Sequence, residues 1–226
     1  MTTVDELREF YLCDGGHELS LFDIWEGGAA NGDSVTPSTY SEPYRTWMIS
    51  FLCGLLADAP TRTLLSVGCG NASVEAGVAR AGYEVLCVDV LEPAVQIARR
   101  KGLDAVVADV HTWNPEPDRW GVVYADGLLG HLYDPDDGLL PVLKHLHGWL
   151  APGPGVLVVS NDAVRERQDV QAAPGVPFFW LSAAYLMEQT GAAGFSDVSA
   201  TTYTYTRPLS GPRDRTVMTA RVHPYR

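Results

Sequence analysis

Five apolar runs punctuate the middle of the chain, at residues 64–67, 83–89, 103–108, 120–125 and 156–160. Each is short and mostly apolar at consecutive rather than alternate positions, as a strand buried on both faces requires. The stretches between them carry helical spacing instead. One helix is predicted from Ser73 to about Ala81, and another opens at Pro93, runs through Arg100 and closes at Lys101-Gly102. A third sets Leu139, Val142, Leu143, Leu146 and Leu150 on one side before Pro152-Gly153-Pro154-Gly155 breaks it. Strand and helix in alternation predict a parallel sheet with helices on both faces.

The pattern changes at both ends. Past residue 161 a helix around 182–190 ends at Gly191, and residues 196–206 and 215–222 alternate as two longer strands. Their link, Pro208-Leu209-Ser210-Gly211-Pro212, predicts an antiparallel hairpin. At the other end a helix from Val4 to about Leu12 precedes Gly15-Gly16-His17, an apolar patch over residues 19–25 and a glycine-rich loop to Gly32. Ser41 is then the expected N-cap, with Pro43 in the first turn, of a helix showing Met48, Phe51, Leu52, Leu55 and Leu56 on one face and stopping near Pro60. The expected fold class is therefore α/β. It is a Rossmann-like, doubly wound, seven-stranded and mostly parallel sheet with a terminal antiparallel β-hairpin, divided into an amino-terminal helical arm or lid (1–42) and a main domain (43–226).

The first strand runs into Val67-Gly68-Cys69-Gly70-Asn71-Ala72, and the second ends in Asp89 about 20 residues on. Glycines at a strand-to-helix turn let backbone approach a ligand, and an acid at that distance is placed to accept both hydroxyls of a ribose. Asp109 follows the third strand in the same way. A ligand with a nucleoside portion is the expectation.

Composition narrows the partners. A formal charge of −12 over 226 residues argues against nucleic acid, since the compact basic group Arg99-Arg100-Lys101 sits at an expected helix end. No apolar run approaches a membrane span, and the amino terminus lacks the basic and apolar regions of a signal peptide, so a cytoplasmic protein is expected, as a monomer or homodimer. Cys13, Cys53, Cys69 and Cys87 form no metal-ligand spacing, so no metal is expected.

Taken together, the Val67–Ala72 glycine turn, Asp89, Asp109 and the stretch Leu146-His147-Gly148-Trp149-Leu150-Ala151-Pro152-Gly153-Pro154-Gly155 resemble the class I S-adenosylmethionine-dependent methyltransferases, over about residues 40–225. Leu129-Gly130-His131-Leu132 is similar to a stretch in the small-molecule, natural-product branch, including antibiotic-sugar N-methyltransferases. The resemblance implies S-adenosyl-L-methionine as cofactor and methyl transfer to N, O or C of a small metabolite in specialised biosynthesis. It implies a cofactor site of Gly68, Cys69, Gly70, Asp89, Val90, Asp109, Val110 and Ala125, with Tyr40, Tyr44 or Arg45 for the carboxylate. Two positions depart from the family pattern: Ser66 stands where an acid is usual, and Ala72 where a third glycine is common.

For the acceptor, Trp25, Tyr44, Phe178, Phe179 and Trp180 are candidate pocket aromatics, and the acidic balance suits a neutral or cationic metabolite. Methyl transfer to a protonated acceptor needs a base, and His131 after the fourth strand, with His17 on the arm as its rival, has the suitable chemistry near neutrality. Two other classes stay open on the residues alone, an NAD-dependent oxidoreductase and a non-catalytic nucleoside-binding protein. The acid after strand three, the closing hairpin and the missing third glycine weigh against the first.

Overall fold

Alternate residues of the central strands feed two separate cores. Leu65 and Val67, Val123 and Ala125, and Leu157 and Val159 pack into one, while Leu64, Val122 and Tyr124, and Val156 and Val158 pack into the other. This period-two division is why those runs read as continuously apolar: each neighbouring pair of side chains is buried on opposite faces of one sheet.

In the computed structural model, which describes residues 2–12 and 19–222, the expected strands and helices are present. The arm comprises α1 (Val4–Leu12), α2 (Leu21–Glu26) and the one-turn α3 (Pro37–Tyr40), followed by the long α4 (Glu42–Asp58). Then come β1 (Thr63–Val67), α5 (Ser73–Arg80), β2 (Glu84–Asp89), α6 (Glu92–Arg100), β3 (Asp104–Val107) and β4 (Val122–Asp126). The chain continues through α7 (Leu129–Leu132), α8 (Leu140–Trp149), β5 (Val156–Asp162), β6 (Val170–Ala172), β7 (Phe179–Leu181), α9 (Ala183–Ala192), β8 (Ser196–Arg207) and β9 (Gly211–Arg221).

The seven-stranded sheet has the order β3-β2-β1-β4-β5-β9-β8, with β1 to β5 parallel and β9 antiparallel to both its neighbours. Strand order reverses between β1 and β4, which opens a crevice at their carboxyl ends. Ser41 caps α4 as expected, accepting from the Tyr44 N–H at 3.4 Å, and Tyr44, Met48, Leu52 and Leu56 form its buried row. Two features were not foreseen. The apolar patch of the arm is helix α2, started by a reciprocal capping box between Ser20 and Asp23. The stretch around 170–181 is a second, two-stranded sheet in which β6 pairs with β7.

The arm lies over the crevice. Leu21, Phe22 and Trp25 of α2 are buried with Leu91, Ala94 and Ile97 beside α6. Asn71 of the glycine turn donates to Phe22 O at 3.0 Å and to Glu26 at 2.8 Å, and Lys101 Nζ reaches Glu26 at 2.6 Å. Among the described residues, no helix is long and apolar enough to cross a membrane.

Candidate functional site

Gly68 turns the chain at the end of β1 with φ 67°, and a Cβ there would meet the Leu128 side chain at 2.8 Å. Its N–H and that of Cys69 both donate to Val88 O, which fixes the turn against β2. Gly70, with φ 50°, donates to Asp89 Oδ2 at 3.0 Å, and Leu91 N–H donates to Asp89 Oδ1 at 3.0 Å. Burial pushes the Asp89 carboxyl up, against the pull of those backbone bonds. Ala72 is more than the small packing residue its size suggests. It holds φ 51°, the left-handed conformation that costs a residue with a Cβ roughly 1 kcal/mol and glycine almost nothing.

A cavity of about 180 Å³ lies over this turn, walled by Gly68, Cys69, Gly70, Asp89, Val90, Asp109 and Val110 on the sheet side. Leu7, Tyr11, Phe22 and Trp25 of the arm close it from above. The acid missing at residue 66 is supplied from elsewhere. Ser66 Oγ donates to Glu75 Oε1 at 2.6 Å, and Glu75, at the start of α5, lines the cavity. Burial raises the Glu75 carboxyl to about 7, although the Ser66 bond favours its ionised form. Two further buried acceptors in this wall, Asn71 Oδ1 and Asp126 Oδ2, have no hydrogen-bond partner among the described residues. A glycine cradle, a buried carboxylate at the end of β2 and buried acceptors suited to an ammonium group fit S-adenosylmethionine.

A second cavity of about 460 Å³ adjoins the first, with Phe178, Trp180, Arg207 and Arg165 in its walls. Tyr11, Trp25, Thr36, Gly127 and His131 line both. His131 is buried on α7, held there because Gly130 packs so closely that a Cβ would lie 2.4 Å from Phe179 O. Its Nδ1 sits 2.6 Å from Pro177 O, and its Nε2 sits 2.9 Å from the Tyr11 hydroxyl. A carbonyl only accepts, so Nδ1 carries the proton and Nε2 accepts from Tyr11. Burial lowers His131 to about 4, and burial also raises the Tyr11 phenol well above its ordinary value. The expectation of a histidine titrating near neutrality is therefore corrected: this imidazole is neutral across that range, in one fixed tautomer. Its rival His17 lies outside the described residues, as do Cys13, Gly15 and Gly16.

Five expected residues stand away from both cavities. Tyr44 is buried in the other core, with its hydroxyl 2.7 Å from Ser160 Oγ. The Arg45 guanidinium donates to Ser38 O and Thr39 O, so it holds α3 to α4 while the Ser38 and Thr39 that it carries reach the cavity wall. Tyr40 is exposed, and Phe179 packs against Tyr133. Ala125 points into the sheet core, and its neighbour Asp126 lines the cavity, since successive strand residues face opposite ways. Tyr11, Glu75, Asp126 and the arginines of the second cavity were not anticipated.

A methyltransferase-domain family model matches residues 44–200. The chain is 39% identical over 212 residues to a tabtoxin biosynthesis enzyme of Pseudomonas amygdali pv. tabaci, covering 92% of this chain and 83% of that one. Among solved structures it is similar to Burkholderia thailandensis 1,6-didemethyltoxoflavin-N1-methyltransferase, bound to 1,6-didemethyltoxoflavin and S-adenosylhomocysteine. The TM-score is 0.61 and the identity 23%, over 82% of this chain and 84% of that one. It is also similar to phosphoethanolamine N-methyltransferase 2 of Haemonchus contortus, with TM-score 0.70 and 14% identity over 98% of this chain and 60% of that chain.

Proposed function

The chain belongs to the methyltransferase-domain family, and from that premise we propose that it moves a methyl group from S-adenosylmethionine to a small-molecule acceptor in specialised biosynthesis. One observation carries this reading: the glycine-turn cavity and the larger cavity meet at Tyr11 and His131, so a donor in one and an acceptor in the other come together at a proton-handling pair. The relative's role in tabtoxin biosynthesis supports the metabolic setting.

When bound, the cofactor supplies an electrophilic methyl on a sulfonium. The rest falls to this chain. Asp89 would hold the ribose hydroxyls, Asp109 with Val90 and Val110 the adenine end, and Glu75, Asn71 and Asp126 would offer acceptors to the amino-acid end. The arm helices exclude water, which strengthens each of these interactions. At the junction the Tyr11 hydroxyl proton is committed to His131 Nε2, so the phenol oxygen presents its lone pairs to the acceptor. A proton leaving the acceptor passes to Tyr11 oxygen as the phenol proton moves to Nε2, and Pro177 O steadies the Nδ1–H of the imidazolium so formed.

Ligand-induced stabilisation tests the assignment. S-adenosylmethionine and S-adenosylhomocysteine should raise the melting temperature in a concentration-dependent way, and NAD should not. Stabilisation by NAD alone would favour the oxidoreductase reading, and binding of S-adenosylhomocysteine without methyl transfer to any acceptor would favour a non-catalytic binder.

A further inference from the structure

The second cavity is built around a buried arginine cluster that methyl transfer itself does not use. Arg207, Arg213 and Arg215 converge on Asp162, with Arg215 Nη1 donating to Asp162 Oδ1 at 2.9 Å and Arg207 Nη2 to Asp162 Oδ2. Arg215 also takes Asp126, and the three guanidiniums thus face two carboxylates and keep one positive charge in excess. Outside them Arg165 and Asp33 add one charge of each sign to the same cavity wall, which leaves that excess unchanged. In a chain whose formal charge is −12, a buried positive surplus is a local arrangement.

The groups differ in how far they are used up. Arg215 spends its donors on Ser160, Asp162 and Asp126. Arg207 spends Nε on the Tyr205 hydroxyl at 2.9 Å and Nη2 on Asp162, and its Nη1 makes no hydrogen bond among the described residues, although the Asp33 carboxylate is near enough to act on the guanidinium. Its side chain is 13% exposed and lines the cavity. Arg165, on the same wall, lies over the Trp180 ring at 5.0 Å and makes one long bond to Ser210 Oγ at 3.4 Å. Trp180, which carries Arg165 and Arg213 on its ring, joins Phe178 and Phe10 in giving the same cavity apolar surface. Planar guanidinium donors beside an aromatic wall, with one charge to neutralise, match a carboxylate on a partly apolar molecule; a phosphate dianion would bring one negative charge too many.

Resting on the methyl-transfer reading for its function, we propose that the second cavity is the acceptor subsite and selects an acceptor bearing a carboxylate, which Arg207 receives with help from Arg165. This replaces the neutral or cationic acceptor expected from overall charge. Net charge governs the outer field, whereas the cavity is governed by the four arginines gathered on its walls and behind them.

The test uses the full chain saturated with S-adenosylhomocysteine and reads quenching of tryptophan fluorescence, since Trp25 and Trp180 line the cavity. The probes are 3-phenylpropanoate, its matched amide and inorganic phosphate. The carboxylate should bind saturably and about tenfold or more tighter than the amide, and phosphate should not displace it. Arg207→Met should weaken the carboxylate about tenfold. Arg165→Ala, an exposed change that leaves the Asp162 cluster intact, should weaken it several-fold. Equal binding of acid and amide, displacement by phosphate below the carboxylate's own range, or full affinity in a folded Arg165→Ala protein would overturn the proposal. S-adenosylhomocysteine binding is measured on the same samples: its loss in the wild-type protein defeats the methyltransferase reading, and its retention with no preference for carboxylate defeats the subsite alone.

Discussion

Ser66 and Glu75 stand 2.6 Å apart beneath the glycine turn, the hydroxyl of one donating to the carboxyl of the other. The family pattern puts an acid at the strand position. Here the strand offers a hydroxyl, and the acid comes from the first turn of α5, nine residues later. Ser66 stands behind the cavity wall and Glu75 lines it, so the carboxyl that reaches the cavity comes from α5 and the strand residue only bonds it.

That exchange predicts how each position tolerates change. Glu75→Gln should weaken S-adenosylmethionine about tenfold or more by calorimetry, because a buried carboxylate facing a cationic ligand is replaced by an amide. Ser66→Asp alone should also weaken it, as it sets two acids against each other, and Ser66→Asp with Glu75→Gln should recover most of the loss. The stability signature has a defined sign. Burial raises Glu75 in the folded protein to about 7 from the ordinary 4.5. Its contribution is therefore complete below 4.5 and is lost as pH climbs through 7. Melting curves of Glu75→Gln should be flatter than wild type between those values; equal slopes would return Glu75 to an ordinary titration.

The Tyr11–His131 pair predicts a different pH behaviour. Burial depresses His131 in the folded protein to about 4 from 6.5. Its stabilising effect is complete above 6.5 and is lost as pH falls through 4, because the unfolded chain takes up the proton first. His131→Asn should flatten the melting temperature over that window. The turnover profile of the wild type should lack an inflection near 6.5. Tyr11→Phe keeps the ring that stacks on Phe22, centroids 5.1 Å apart, and removes only the hydroxyl. It should cut turnover by roughly 10²-fold with little change in S-adenosylhomocysteine affinity. Near-normal turnover in Tyr11→Phe would confine the pair to holding the arm.

How much of this was legible in the sequence depends on the reach of each contact. The central parallel strands were readable because both faces of Leu64–Val67 and of its counterparts in β4 and β5 are buried, which leaves an apolar run, whereas β3 at the sheet edge keeps Val107 45% exposed. Gly68, Gly70 and Asp89 were readable because a turn and an acid at fixed spacing are local. Helix α2 was missed although its signal, Ser20 followed three residues on by Asp23, was present. Tyr11 was out of reach, since its partner His131 lies 120 residues away and joins it only through the docking of α1. The same holds for Arg207 and Arg215, brought to Asp162 by the antiparallel pairing of β5 with β9 and β9 with β8. Ala125 was displaced by one residue from Asp126 because the strand's end, and with it the face each residue shows, is not fixed by apolar content alone.

Asp89 offers a prediction in which the conservative change is nearly as harmful as the drastic one. Its two carboxylate oxygens each accept a backbone N–H, one from Gly70 and one from Leu91, both at 3.0 Å. An asparagine has a single acceptor oxygen, so its amide nitrogen must face one of those donors. Asp89→Ala should weaken S-adenosylmethionine by roughly 1–3 kcal/mol, and Asp89→Asn by nearly as much, with a lowered melting temperature in the absence of ligand. Calorimetry on both folded variants decides it. An Asp89→Asn protein binding as well as wild type would mean the ribose is held by other groups.

The arm supplies the last prediction. Its helices contribute Tyr11, Phe22 and Trp25 to the cavity roof, and Thr2 ties its beginning down, with its N–H on His131 O and its hydroxyl on Pro177 O, both at 3.0 Å. The sheet does not depend on these residues, because among the described residues its two cores are completed by α4, α5, α6, α8 and α9. Deleting residues 1–30 should therefore leave far-ultraviolet circular dichroism characteristic of the α/β sheet. It should also uncover Leu91, Ala94 and Ile97, which now pack under α2. Roughly 25 cal/mol for each Å² of that apolar surface is lost, so the melting temperature should fall by several degrees. Turnover should vanish, since Tyr11 is gone and water enters the junction, while S-adenosylhomocysteine still binds more weakly through Gly68, Gly70 and Asp89. Reduced binding with no turnover is the signature of a roof. A truncated protein that turns over normally would remove the arm, and Tyr11 with it, from the reaction.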